Sequence, residues 1–213
     1  MGYFLAVSAF KNQPVEAVAK CTASYTGKHG VGCKPKSDGQ TNLNPKTDAA
    51  IYAPANGWTV VLWPAYFNIH DIEACRALSE QMQAVVATVH VYDDAYWTNV
   101  LFDQGRRLDQ FASIPNYFEG GPEIAQRWGG DASVVARAMS VPEAQIAPYF
   151  AKIGEADLGK AFVDDEFELS NFWVFTDFWR RIGIRYPADV SKCALQLRLD
   201  KGFGQKLPTS GEL

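Results

Sequence analysis

From Gly57 to Phe111 the chain sets runs of β-branched and aromatic residues between short turns of Asp, Asn and Gly, a pattern that antiparallel strands satisfy and helices do not. Gly57-Trp58-Thr59-Val60-Val61-Leu62-Trp63, bounded by Asn56-Gly57 and Pro64, has little polar face and reads as a central strand. Val85, Ala87, Val89 and Val91 alternate with Val86, Thr88, His90 and Tyr92. After Asp93-Asp94-Ala95 a second alternating run, Tyr96 to Phe102, completes a hairpin. Asp103-Gln104-Gly105 turns the chain again, and the polar Arg107-Leu108-Asp109-Gln110-Phe111 suits the edge of a meander. Between the first strand and the hairpin, Ile72, Cys75, Leu78 and Met82 share one helical face, so an amphipathic helix spans about Asp71 to Gln83 with Cys75 toward the core.

The flanks extend the same picture. The apolar stretch Met1 to Phe10 reads as a strand, and Pro14 opens a short helix carrying Val15, Val18, Thr22 and Tyr25. Residues 27–47 are rich in Gly, Lys, Pro, Asn and Ser and read as a long exposed loop. Helices are expected at Glu123 to Trp128, at Ala132 to Met139 capped by Asp131, at Glu143 to Phe150, and at Ser170 to Gly183, the last ending in two arginines and a glycine. A late strand runs from Ala194 to Leu199, and a flexible tail starts near residue 202. The expected class is α+β: a mainly antiparallel sheet packed by helices, with a helical C-terminal part. With 213 residues, one domain is expected.

Composition narrows the function classes. Hydrophobic residues at 47 % and charged residues at 21 % suit a globular chain, and no apolar run approaches the roughly 20 residues of a membrane span. The N-terminal apolar stretch has no basic lead and Lys11-Asn12-Gln13-Pro14 cuts it short, so no export signal and a cytoplasmic location are expected. Cys21, Cys33, Cys75 and Cys193 lack the dense spacing of a disulfide scaffold, and reduced thiols follow. A net charge of −4 and a pI near 5.4 give no electrostatic reason to bind nucleic acid or anionic membrane.

Motifs that could carry chemistry are incomplete. Cys21, His29, Cys33 and Cys75 are zinc-ligand types without a Cys-x-x-Cys pair, and no metal or cofactor is expected. Four cysteines with His29, His70 and His90 supply the residue types of a thiol- or histidine-dependent hydrolase or transferase, the alternative reading, but no Gly-x-Ser-x-Gly or His-Glu-x-x-His accompanies them. Gly27 to Lys34 could make a glycine-rich phosphate nest, yet it lacks the Gly-Lys-Ser/Thr ending. Ser133 to Phe150 imitates a helix-turn-helix, but its second half offers Glu143, Gln145 and Pro148 where bases and phosphates need cations and amides.

Two acidic groups remain, Asp93-Asp94 at the hairpin tip and Asp164-Asp165-Glu166 before the last helix, with aromatic residues near turns at 63–67, 96–97 and 115–118. Aromatics flanked by carboxylates outside regular elements are what an interface for a basic protein would present, which marks Asp93, Asp94, Tyr96, Tyr117, Phe118, Asp164, Asp165 and Glu166 as candidate partner-binding residues. The order of a Gly-Trp strand, an amphipathic helix, the Val-His-Val-Tyr-Asp-Asp hairpin, Asn99 to Gly105 and Phe111 to Phe118 resembles bacterial proteins found among toxin-immunity genes. That resemblance implies a non-enzymatic protein that neutralises a cognate toxin by blocking its active surface. It assigns no catalytic residue.

Overall fold

The computed structural model describes residues 2–36, 43–117, 121–154 and 158–209. It is an α+β fold built on one eight-stranded antiparallel sheet. In chain order the elements are β1 (Leu5–Lys11), α1 (Val15–Lys28), β2 (Cys33–Pro35), β3 (Asp48–Ile51), β4 (Trp58–Leu62), α2 (Asp71–Met82), β5 (Val85–Tyr92), β6 (Tyr96–Asp103), β7 (Arg106–Ala112), α3 (Pro122–Arg127), α4 (Ala132–Met139), α5 (Val174–Arg181) and β8 (Leu195–Leu199). The strands lie in the order β2-β8-β3-β4-β1-β5-β6-β7.

Both faces of the sheet are covered. On one, Val18 of α1 and Ile72, Cys75 and Leu78 of α2 pack with Ala6, Phe10, Val61, Val86 and Phe102. On the other, Val135 and Met139 of α4 and Phe175, Phe178 and Trp179 of α5 pack with Val7, Val89, Trp97, Leu101 and Phe111. Two-sided burial explains why β1 and β4 are almost continuously apolar; an antiparallel sheet with one wet face would alternate.

The meander is real but narrower than its sequence suggests. β5, β6 and β7 pair consecutively, with β7 at the edge. β4, however, does not join β5: β1 lies between them, with Val7 opposite both Leu62 and Val89. The connection from β4 through α2 is therefore a crossover between two parallel strands split by an antiparallel one.

Four further expectations change. α1 runs on to Lys28, and residues 27–47 contain β2, a strand pairing with β8 far along the chain, and the buried Val31 and Thr47; residues 37–42 lie outside the described residues. Glu143 to Phe150 forms two 3-10 turns, Glu143–Gln145 and Ala147–Phe150, because Pro148 cannot donate to a continuing helix. α5 starts at Val174, the preceding turn being closed by Asn171 Oδ1, which accepts the Trp173 N–H at 2.8 Å. The expected tail packs down through residue 207: a 3-10 turn at Phe203–Gln205 buries Phe203 and Leu207, and the Pro208 carbonyl lies 2.9 Å from His70 Nδ1. No helix among the described residues is long and apolar enough to cross a membrane.

Candidate functional site at one end of the sheet

The start of β1, the end of β4, the β5–β6 turn and the segment after β7 all reach the same end of the sheet. Asp93 and Asp94 form that turn with φ of 54° and 56°, closed by the Ala95 N–H donating to the Tyr92 carbonyl at 3.0 Å. Two left-handed central residues make a mirror-image turn whose twist matches a hairpin, and Asp tolerates them better than most side chains. Both aspartates are exposed. The N-terminal segment crosses the turn so closely that a Cβ on Gly2 would stand 1.9 Å from Asp93 Oδ1, while the Asp94 N–H reaches the Tyr3 carbonyl at 3.3 Å.

Aromatic rings gather around the turn on both sides of the sheet. On the α2 side Tyr117 lies 4.8 Å from Tyr96 and 5.8 Å from Tyr92, Tyr92 meets Phe4 edge-on at 4.9 Å, and Phe4 lies 5.3 Å from Tyr66. On the α5 side Tyr3 lies 5.7 Å from Trp173, which meets Tyr186 at 5.7 Å. Burial, reinforced by the Asp94 charge, pushes the Tyr3 phenol up, so it stays a neutral hydroxyl. Tyr3, Tyr66 and Tyr117 are 42, 52 and 36 % exposed, too much surface for rings that only close a core. Tyr66 also has φ +66°, a left-handed conformation that costs a bulky residue energy and is held here next to a cleft of about 260 Å³ lined by Tyr3, Phe4, Leu43, Leu62 and Trp63.

The candidate residues divide. Asp93, Asp94 and Tyr117 sit together at this end. Tyr96 is buried beneath Tyr117 as support, and Phe118 lies outside the described residues. Asp164, Asp165 and Glu166 belong elsewhere. Asp165 is buried, accepting from Tyr149 Oη at 2.7 Å, from Arg181 at 2.8 Å and from Arg180 at 3.0 Å; Asp164 is paired to Arg180 and, more closely, Arg181, which hold its carboxyl down at about 2. Only Glu166 of the three is exposed without an ion pair. These arginines end α5 whereas Trp173 precedes it, and eight helical residues span roughly 12 Å. The acidic run is thus a tether for the C-terminal end of α5 rather than part of the tyrosine cluster. Sequence reasoning reaches Tyr66 through the aromatic run at 63–67 but misses Tyr3, Phe4, Tyr92 and Trp173 as members of the cluster, because distant segments converge on it and none carries a local motif.

The residue types of a thiol or histidine enzyme meet inside the core. Ser8 Oγ lies 3.1 Å from Cys75 Sγ and 2.8 Å from Thr88 Oγ1, and it accepts from Trp63 Nε1 at 2.7 Å. Thr88 donates to Asp71 at 3.0 Å, and His90 Nδ1 lies 3.3 Å from the same Asp71 oxygen. All are buried. Cys75 bonds to serine rather than histidine, and burial pushes its thiol up to about 12, the opposite of nucleophile activation. In the folded protein a water-soluble alkylating reagent is expected to label the partly exposed Cys193 and to leave Cys75 untouched until the protein is denatured, as read by peptide mass mapping.

The other motifs are equally occupied. Cys21, His29, Cys33 and Cys75 do not assemble: among the described residues no group of three or more His, Cys, Asp and Glu could hold a metal ion. In the glycine-rich segment the Gly32 N–H already donates to Asp200 at 2.8 Å, and a strand, not a helix, follows. α4 buries Val135, Ala136 and Met139 against the sheet, and where the helix-turn-helix pattern calls for a second helix the chain forms two 3-10 turns, Glu143–Gln145 and Ala147–Phe150. Compared with known proteins, the chain matches no family model, no curated protein and no solved structure.

Proposed function

We propose that this chain is a non-enzymatic protein-binding module, most concretely a bacterial immunity protein that neutralises a cognate toxin by covering its active surface with the tyrosine-aspartate end of the sheet. The observation that carries the reading is the cluster of half-exposed Tyr3, Tyr66 and Tyr117 around a turn with two outward carboxylates. Tyrosine supplies large contact area at low entropic cost, and such residues dominate binding energy at interfaces. The carboxylates favour a basic partner by steering its approach. Burial of Cys75 and His90 supports binding over turnover, since neither group reaches a substrate.

Affinity purification from the native host, with the recovered partner titrated against variants, tests the proposal. Tyr66→Ala and Tyr117→Ala are each expected to weaken binding at least tenfold, in line with hot-spot losses of about 2 kcal/mol. Asp93→Lys with Asp94→Lys is expected to slow association and reduce its dependence on salt. Recovery of no stoichiometric protein partner, together with full fitness when the gene is deleted beside a neighbouring toxin gene, would overturn the assignment.

A further inference from the structure

After β8 the chain folds back as a strap, residues 200–208, over the C-terminal end of α1 and the N-terminal end of α2. Asp200 donates its N–H to the Gly32 carbonyl at 2.9 Å and accepts the Gly32 N–H at 2.8 Å, and Lys206 Nζ donates to the Gly30 carbonyl at 2.9 Å. Phe203 and Leu207 are the buried anchors, with Phe203 5.8 Å from Phe67 and 6.1 Å from His70 between ring centroids. The far end is held by His70, whose Nδ1 lies 2.9 Å from the Pro208 carbonyl.

That contact fixes the state of the imidazole. A carbonyl oxygen only accepts, so Nδ1 carries the proton and Nε2 is bare. His70 is fully buried beside the Phe67 and Phe203 rings, and the strap passes so close that a Cβ on Gly204 would stand 3.3 Å from Nε2. Among the described residues Nε2 meets no hydrogen-bond partner. A second proton would therefore bury an N–H with nothing to accept it. Burial accordingly lowers the His70 pKa, against the Pro208 bond and the Asp71 charge. The other charges nearby are engaged or lie at the surface. On α2, Asp71 accepts from Thr88 and lies 3.3 Å from His90, and Glu73 pairs with Arg76. Lys28 and His29 line the open recess beside Pro208; on the strap Asp200 and Lys206 are bonded to Gly32 and Gly30, and Lys201 is exposed. The turn at Phe67–Ile69 carries no charge.

We propose that the strap is an acid-released latch: neutral His70 holds it down, and protonation at Nε2 frees residues 200–208 and bares Phe67 and the helix ends beneath. The latch is independent of the protein-binding role. With the folded value lowered, docking is at full strength above the free imidazole's ordinary value of about 6.5 and weakens below it, because the released strap leaves His70 free to take up the proton. The released population rises by up to about tenfold per pH unit until His70 protonates in place.

Hydrogen exchange of the intact protein, read by mass spectrometry from about pH 7.5 to about pH 5 and corrected for intrinsic exchange at each pH, tests the latch. The amides of Lys206 and Leu207, both bonded to the Phe203 carbonyl, are expected to lose protection about fivefold or more over that range, while β6 keeps its own. His70→Gln and His70→Phe are each expected to flatten this response, whatever protection remains, and His29→Gln to leave it as in the wild type. In nitrogen-15 NMR of histidine-labelled protein at neutral pH, the signals lost in His70→Gln are expected to report the Nδ1–H tautomer. Strap protection that does not change with pH, a response that survives in both His70 variants or disappears in His29→Gln, or an Nε2–H tautomer would each overturn the latch.

Discussion

Trp97→Ala is expected to lower the free energy of unfolding by about 3 to 5 kcal/mol, as read by urea titration followed by circular dichroism. Trp97 is a central plug of the α5-side core, with Phe111 at 5.1 Å and Phe178 at 5.8 Å between ring centroids. Its backbone is also a joint: the N–H donates to Ser113 Oγ at 3.1 Å and the carbonyl accepts from the Ser113 N–H at 3.0 Å. Truncation leaves a cavity bounded by a sheet and a helix that cannot both move inward. Since a domain is stable by only about 5 to 15 kcal/mol, one substitution removes a large fraction of that margin. An unfolding midpoint within error of the wild type would show that the two layers are not held by this contact.

Asp48→Ala is expected to cost a comparable 3 to 5 kcal/mol, through charge rather than volume. The buried carboxylate lies 3.1 Å from Lys36 Nζ and 3.0 Å from Arg198 Nε, and it accepts the Asn44 N–H at 2.9 Å and the Thr47 hydroxyl at 3.1 Å. One side chain thereby joins β3, β8 and the segment leaving β2. Burial alone would raise its pKa, but hydrogen bonds from Arg198, the Asn44 amide, Lys36 and Thr47 outweigh it and hold the carboxyl well below the usual range. The sign of the pH dependence follows: with the folded value lowered, the stabilisation is complete above the unfolded value of about 3.9 and is lost as pH falls from there toward the folded one. Wild type should therefore lose stability in acid more steeply than Asp48→Ala, in melts collected from pH 6 down to about 2. Parallel acid limbs for the two proteins would remove Asp48 from the account.

What the chain reveals of itself before folding is what it encodes locally. β5, β6 and β7 are legible because alternation and the Asp93-Asp94 and Gln104-Gly105 turns lie within neighbouring residues, and α2 because Ile72, Cys75 and Leu78 recur at one helical period. The insertion of β1 between β4 and β5, and of β8 between β2 and β3, is not legible, since pairing such as Asp48 with Arg198 joins residues with no common local signal. The site shows the same division. Asp93 and Asp94 announce a turn, but nothing in Tyr3, Tyr66 or Trp173 says that three distant segments will meet there. Asp165 misleads for the complementary reason: a solvated acidic turn and an anchor for Tyr149 and Arg181 are spelled alike.

Helices on both faces leave this sheet without a wetted broad surface, and that has an evolutionary consequence. Substitutions on its faces disturb packing, whereas the turn residues at its tyrosine end, Tyr66, Asp93, Asp94 and Tyr117, are exposed to solvent. Under the proposed binding role, a change of a few turn residues would exchange one partner preference for another with the interior left as inherited. Related chains are expected to diverge fastest around Tyr66, Asp93 and Tyr117 and slowest along β1 and β4.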